Sequence, residues 1–104
     1  MGLTITYSDI SRRDLRAIYN FIRRDSLFYA KKEIKEIRLA ITKLKLNPLL
    51  GRRFEKFDDE LTRELIFKNY RIIYDIVPDK RINILSIHHH ARSLSNNPAF
   101  IPED

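Results

Sequence analysis

Three arginines and three histidines in the second half of this chain are of types that handle phosphates and protons. Arg63, Arg71 and Arg92 carry guanidinium groups, and His88, His89 and His90 follow one another just before the last of them. A guanidinium stays charged at any physiological pH and grips phosphate or carboxylate through two parallel hydrogen bonds. An imidazole titrates near neutrality and can give a proton to a leaving oxygen or accept one. The chemistry on offer is stabilisation of anionic charge by the guanidiniums, with His90 as a candidate acid or base. Consecutive histidines on a strand do not make a zinc site, because neighbours point to opposite faces: His88 and His90 share a side and His89 does not. The chain has no other histidine and no cysteine, so no metal and no cofactor are expected. His89 reads as a partly buried histidine near the end of a core strand. Arg71 has a second reading, as the ion-pair partner of a carboxylate such as Asp75, two positions on along the same strand face.

The elements that must position these groups are three apolar, β-branched runs: Leu61–Phe67, Tyr70–Val77 and Arg81–His89. Lys68-Asn69 and Pro78-Asp79-Lys80 separate them, and such short connections predict an antiparallel meander. With period two, Tyr70, Ile72, Tyr74 and Ile76 share one face, while Arg71, Ile73, Asp75 and Val77 share the other. Upstream, Leu3–Tyr7 alternates as a short strand. Ser8 is an N-cap with Asp9 in the first turn, opening a helix to about Arg24 whose apolar stripe is Leu15, Ile18, Tyr19 and Ile22. Ser26 caps a second helix, in which Ala30, Ile34, Ile37, Ile41 and Leu44 fall on one seam that must be buried. Asn47-Pro48 ends it, and Leu49–Glu60 reads as a loop containing Gly51. The fold class is α+β, in the order β-α-α-β-β-β: a two-helix hairpin on one face of an antiparallel sheet, with the other face left for a site. Residues 1–92 form one domain, and 93–104 an irregular tail pinned by Phe100 and Ile101.

Composition bounds the partners. The chain has 104 residues, 43% of them hydrophobic, which suits one domain with its own core. Without cysteine there is neither a disulfide nor a thiolate zinc site, which fits a reducing cytoplasm. The opening MGLTITYSDI lacks a basic region followed by an apolar run, so no signal peptide is expected. No apolar stretch approaches the ~20 residues needed to span a bilayer. Residues 11–56 hold 14 Lys and Arg against 5 Asp and Glu, whereas residues 57–104 hold 6 against 8, within a net charge of +6. The positive charge therefore belongs to the helices, and it attracts nucleic acid, ribosomes or an acidic protein.

Taken in order, the motifs resemble the RelE/ParE superfamily of small bacterial toxins. They are Asp14-Leu15 and Ile18, Pro48 and Gly51-Arg52, Arg63 and Leu65, Tyr70-Arg71-Ile72-Ile73-Tyr74, and the closing His90-Ala91-Arg92, over roughly residues 3–92. The resemblance implies a cytoplasmic toxin of a type II toxin–antitoxin system, held by a cognate antitoxin and reaching operator DNA only through that antitoxin. Antitoxin-binding candidates are the helix cations Arg12, Arg13, Arg16, Arg23, Lys31, Lys35 and Arg38. Two branches differ in target. The RelE-like branch cleaves messenger RNA on the ribosome, and its strand arginine, here Arg71, contacts phosphate. A nuclease reading of this chain uses Arg71, His90 and Arg92, with Glu64 as base. Lysines of that branch align with Thr62 and Glu64 here, and its C-terminal tyrosine aligns with Asn96. The ParE branch has an R-x-L strand, here Arg63-Glu64-Leu65, and a closing H-A-R motif. It implies inhibition of DNA gyrase without catalysis, with Arg63, Arg71, His90 and Arg92 as toxicity candidates. The chain leans to the ParE branch, hence away from an enzyme. A third reading is an inactive toxin-fold module used for binding or repression.

Overall fold

The computed structural model describes residues 3–54 and 59–89. In chain order these form β1 (Thr4–Tyr7), α1 (Asp9–Arg23), α2 (Leu27–Thr42), two short 3-10 turns (Lys43–Lys45 and Pro48–Leu50), β2 (Arg52–Arg53), β3 (Thr62–Phe67), β4 (Tyr70–Val77) and β5 (Arg81–His89). The sheet order is β1-β5-β4-β3-β2. The α+β class, the helical hairpin against the sheet and the antiparallel meander stand as expected. The sheet as a whole is mixed, because β1 pairs parallel to β5, with Tyr7 beside Ile84. A parallel neighbour needs a crossover, and here the hairpin and the meander lie between the two strands.

Both helices begin where their caps predict. The Ser8 hydroxyl accepts from Ser11 N at 3.0 Å, and Ser26 accepts from Tyr29 N at 3.2 Å. The second helix stops earlier than Asn47-Pro48: it passes into a 3-10 turn after Thr42. Thr42 Oγ1 donates back to Arg38 O at 2.8 Å, a bond that competes with regular helix. The next turn then gives its Lys45 carbonyl to Leu3 N at 3.2 Å, tying the entry of β1 to the exit of the hairpin.

The core lies between hairpin and sheet. Leu15 and Ile18 of α1, Ile37 and Ile41 of α2, and Leu44 pack on Tyr70, Ile72, Tyr74, Ile76, Ile82, Ile84 and Ile87. This is the face that period two assigns to β4. Each such side chain stabilises by about 1.5–3 kcal/mol when buried. Two polar clamps attach α1 to β5. A register shift opposite Ile73/Tyr74 leaves Leu85 as a bulge, and its carbonyl accepts the Ser8 hydroxyl at 2.9 Å. Nearly two turns along, Asp14 Oδ2 accepts Ile87 N at 2.8 Å, satisfying the strand edge beyond the end of β1. On the far side, Lys68 in the β3–β4 turn takes φ 54° and pairs with Glu33 at 3.1 Å and with Glu36.

The segment read as an unbroken loop contains β2, two residues antiparallel to β3. Its position comes from Tyr74, which is fully buried. The phenol donates to Pro48 O at 2.6 Å and accepts from Gly51 N at 2.9 Å. Arg63 closes the same loop, donating to Gly51 O at 3.0 Å and Glu60 O at 3.1 Å. Gly51 has an ordinary extended backbone; what it supplies is closeness, since a Cβ there would come 2.7 Å from both Glu64 O and Tyr74 Oη. Among the described residues no helix is long and apolar enough to cross a membrane.

Gly51→Ala should therefore cost about 1–3 kcal/mol in urea unfolding, the range for forcing a methyl into a filled site. Burial holds the Tyr74 phenol above its ordinary value of 10.0, against the opposing pull of the Gly51 N–H and the Arg63 charge. The folded state keeps this proton longer than the unfolded chain does. The contribution is then complete below pH about 10 and is lost as pH rises through the folded value. Thermal scans should show an alkaline decline that is shallower in Tyr74→Phe.

Candidate functional site

The sheet face turned away from the helices, where Ile66 and His88 are exposed but Thr62, Glu64 and Ile73 are buried, and the outer side of the hairpin each gather functional residues. On the sheet, the register sets Arg52, Glu64, Ile73 and Ser86 in one row and Ile66, Arg71 and His88 in the next. Glu64 sits at the crossing. Its side chain is only 7% exposed, and two nitrogens of Arg52 converge on Oε2, Nε at 2.7 Å and Nη2 at 2.6 Å. Arg71 Nε lies 3.0 Å from Oε1, yet its N–H is not aimed at that oxygen. Neither atom makes a hydrogen bond among the described residues, so this contact is coulombic.

Arg71 is thus paired, but with Glu64 and not with Asp75. Asp75 lies four residues along β4 from Arg71, about 13 Å at ~3.3 Å per residue, whereas Glu64, the diagonal neighbour across β3 and β4, is about 7–8 Å away and within reach of a long side chain. Asp75 Oδ1 is left buried without a hydrogen-bond partner among the described residues. Arg63 faces the other way: it lies opposite Tyr74 on the core side, with its guanidinium committed to two backbone carbonyls. His88 is exposed and directly across from Arg71. His89 packs edge-on against Tyr70 at 5.1 Å, half-buried as its position predicts. His90, Arg92, Asn96 and the tail 93–104 lie outside the described residues.

The second surface is a trough between the helices. Two adjoining hollows of about 390 and 430 Å³ share Tyr19, Ile34 and Arg38. Spacings of three and four bring Arg12, Leu15, Arg16 and Tyr19 of α1 to one side of it. The same spacing brings Lys31, Ile34, Lys35, Arg38 and Thr42 of α2 to the other. The floor is apolar, with Tyr7 and Leu39 at its ends. The rim carries five cations, and among the described residues no carboxylate lines either hollow. Arg38 lies over the Tyr7 ring at 5.0 Å. Burial raises the Tyr7 phenol above its ordinary value, less the opposing pull of Arg38. Five of the seven helix cations singled out from sequence are on this rim; Arg13 and Arg23 are not. Sequence reasoning missed Arg52, hidden in a two-residue strand, and the half-exposed state of Tyr19 and Ile34. The four-residue spacing of cations flanking Ile34 was the available signal for the trough.

Comparison with known proteins places this arrangement. The family model described as the ParE toxin of type II toxin-antitoxin system, parDE, matches residues 5–94. The chromosomal ParDE TA system from P. aeruginosa is similar in structure, with a TM-score of 0.69 and 19% identity over 85% of this chain and 96% of that one. The DinJ-YafQ toxin-antitoxin complex from E. coli gives a TM-score of 0.60 and 16% identity, over 88% and 96%. The YoeB dimer from Staphylococcus aureus gives 0.56 and 22%, over 86% and 99%. At these identities the structural likeness establishes the fold. Among curated proteins no sequence matches.

Proposed function

The chain belongs to the family of ParE toxins of type II toxin–antitoxin systems, and from that premise we propose that it inhibits DNA gyrase in the cytoplasm and is neutralised by a cognate antitoxin. The observation that carries this reading is the cation-rimmed, apolar-floored trough. It is open and long, suited to a protein segment more than to a metabolite. Its complement is an amphipathic acidic helix, with aliphatic side chains at helical spacing on the floor and carboxylates along the flanks. Two of the similar structures are themselves described as toxin–antitoxin assemblies.

The target half of the proposal rests on the sheet face. A nuclease needs a base free to act, and the carboxylate nearest Arg71 is Glu64, buried and ion-paired on both sides. A second reading, ribosome-dependent cleavage of messenger RNA, is favoured by one observation: exposed His88 stands across from Arg71, where a held phosphate would meet a proton donor.

Stopped-flow mixing with the antitoxin should give an association rate that falls about tenfold or more between low and high ionic strength. Arg16→Glu with Lys35→Glu should slow it further and weaken neutralisation; a rate indifferent to salt would refute the trough as the docking site. Purified toxin should inhibit supercoiling by the host's gyrase and leave trapped DNA breaks. Normal supercoiling, together with messenger RNA cut within codons and spared in His88→Ala, would transfer the assignment to the nuclease reading.

A further inference from the structure

We infer that Glu64 is a specificity-determining residue: it occupies, from within the chain, an oxyanion site formed by Arg52 and Arg71, and so closes the sheet face to phosphodiesters. This goes beyond the choice of target, and its test needs neither gyrase nor antitoxin.

The argument begins with where the carboxylate sits. Glu64 points to the face of β3 away from the helices, where its side chain is 7% exposed beside buried Thr62 and Ile73, while Arg52 keeps 69% and Arg71 35% of theirs. Removing a carboxylate from water is costly unless cations replace the lost hydration. Here two arginines from different strands converge on it, one against each oxygen, at 2.6 Å and 3.0 Å. Carboxylate and phosphate offer a guanidinium the same pair of anionic oxygens. Two guanidiniums around one carboxylate therefore have the layout of a phosphate receptor with its ligand supplied by the chain. A tethered occupant competes at high effective concentration, so a weakly binding external anion is excluded.

The site is also incompletely satisfied. The Arg71 Nε–H does not point at Oε1, and both atoms are buried without a hydrogen bond among the described residues. Charge holds Arg71 in place, but its donor is not consumed. With the carboxylate neutralised, Arg71 is the cation able to turn toward an incoming phosphate.

The test uses the full chain in four forms: wild type, Glu64→Gln, Glu64→Gln with Arg71→Gln, and Asp79→Asn as a charge control. Fluorescence anisotropy at low salt measures binding of a short labelled single-stranded RNA. Because Glu64→Gln also raises the net charge of +6 by one, Asp79→Asn, an exposed change of the same charge in the turn after β4, sets the background, and only a gain beyond it reports the sheet face. Glu64→Gln should bind roughly tenfold tighter than wild type, and the double variant should return to the wild-type level. A gain in Glu64→Gln no greater than in Asp79→Asn, or one that persists without Arg71, overturns the inference. A titration of wild type with inorganic phosphate, followed by NMR at the arginine Nε–H signals, stands even if Glu64→Gln fails to fold. Silence at Arg52 and Arg71 is the expected result, and a saturable shift at either rejects the proposal.

Discussion

The buried phenol of Tyr74 is the interaction from which the outer sheet face takes its form. Its hydroxyl donates to the Pro48 carbonyl and accepts from the Gly51 N–H, and Arg63 from the next strand fastens the carbonyl of that glycine. The chain leaving the hairpin is thereby pressed against β3 for the length of β2. That contact delivers Arg52 to Glu64, and Glu64 in turn faces Arg71. A hydroxyl on the core side thus decides which charges meet on the solvent side. A buried hydroxyl left unpaired would cost about 1–3 kcal/mol; here both its donor and its acceptor capacity are used, so the pin is specific in direction.

The hairpin is located by a different kind of contact. Apolar packing of Leu15, Ile18, Ile37, Ile41 and Leu44 fixes that the helices lie on the sheet, but such packing is weakly directional. Direction comes from the Ser8 bond to the bulged Leu85 carbonyl and the Asp14 bond to Ile87 N. These set the rotation of α1 about its axis. With the Asp14 side of α1 turned to β5, the side bearing Arg12, Arg16 and Tyr19 turns to the groove. The trough is a consequence of how α1 is clamped as well as of which residues it carries.

Much of this was legible in the chain. Period two in Tyr70–Val77 assigns faces that the core positions of Tyr70, Ile72, Tyr74 and Ile76 reproduce, and Ser8 and Ser26 mark both helix starts. Three features were not legible, each for a physical reason. The parallel seat of β1 depends on two segments more than seventy residues apart, and a four-residue strand carries no directional signal. β2 is too short for any periodicity. The partner of Arg71 turns on register: Asp75 is the near carboxylate in sequence, Glu64 the near one in space, and only the pairing of Ile66 with Arg71 separates them. Arg63 shows the converse. Its motif reads as a functional cation, while period two from Glu64 puts it on the core side, where backbone carbonyls take it up.

The two surfaces spend their charge differently. Of the trough cations, Arg16, Lys31 and Lys35 make no ion pair among the described residues, and the Arg12–Asp9 pair, at 3.7 Å between exposed groups, is worth little in water. Their field therefore extends outward, which suits the capture of an acidic partner at a distance of about a Debye length, ~8–10 Å at physiological salt. On the sheet, Arg52 and Arg71 direct their charge inward to Glu64, and only about one net positive charge remains to be felt from outside. A partner steered by electrostatics is drawn first to the helices. Whatever engages the sheet must do so by shape and hydrogen bonding, or by supplying an anion that outcompetes a tethered carboxylate. The second route is closed to a single phosphate group and costly for a strand of them, so the separation of charge already biases the toxin toward protein surfaces on both of its sides.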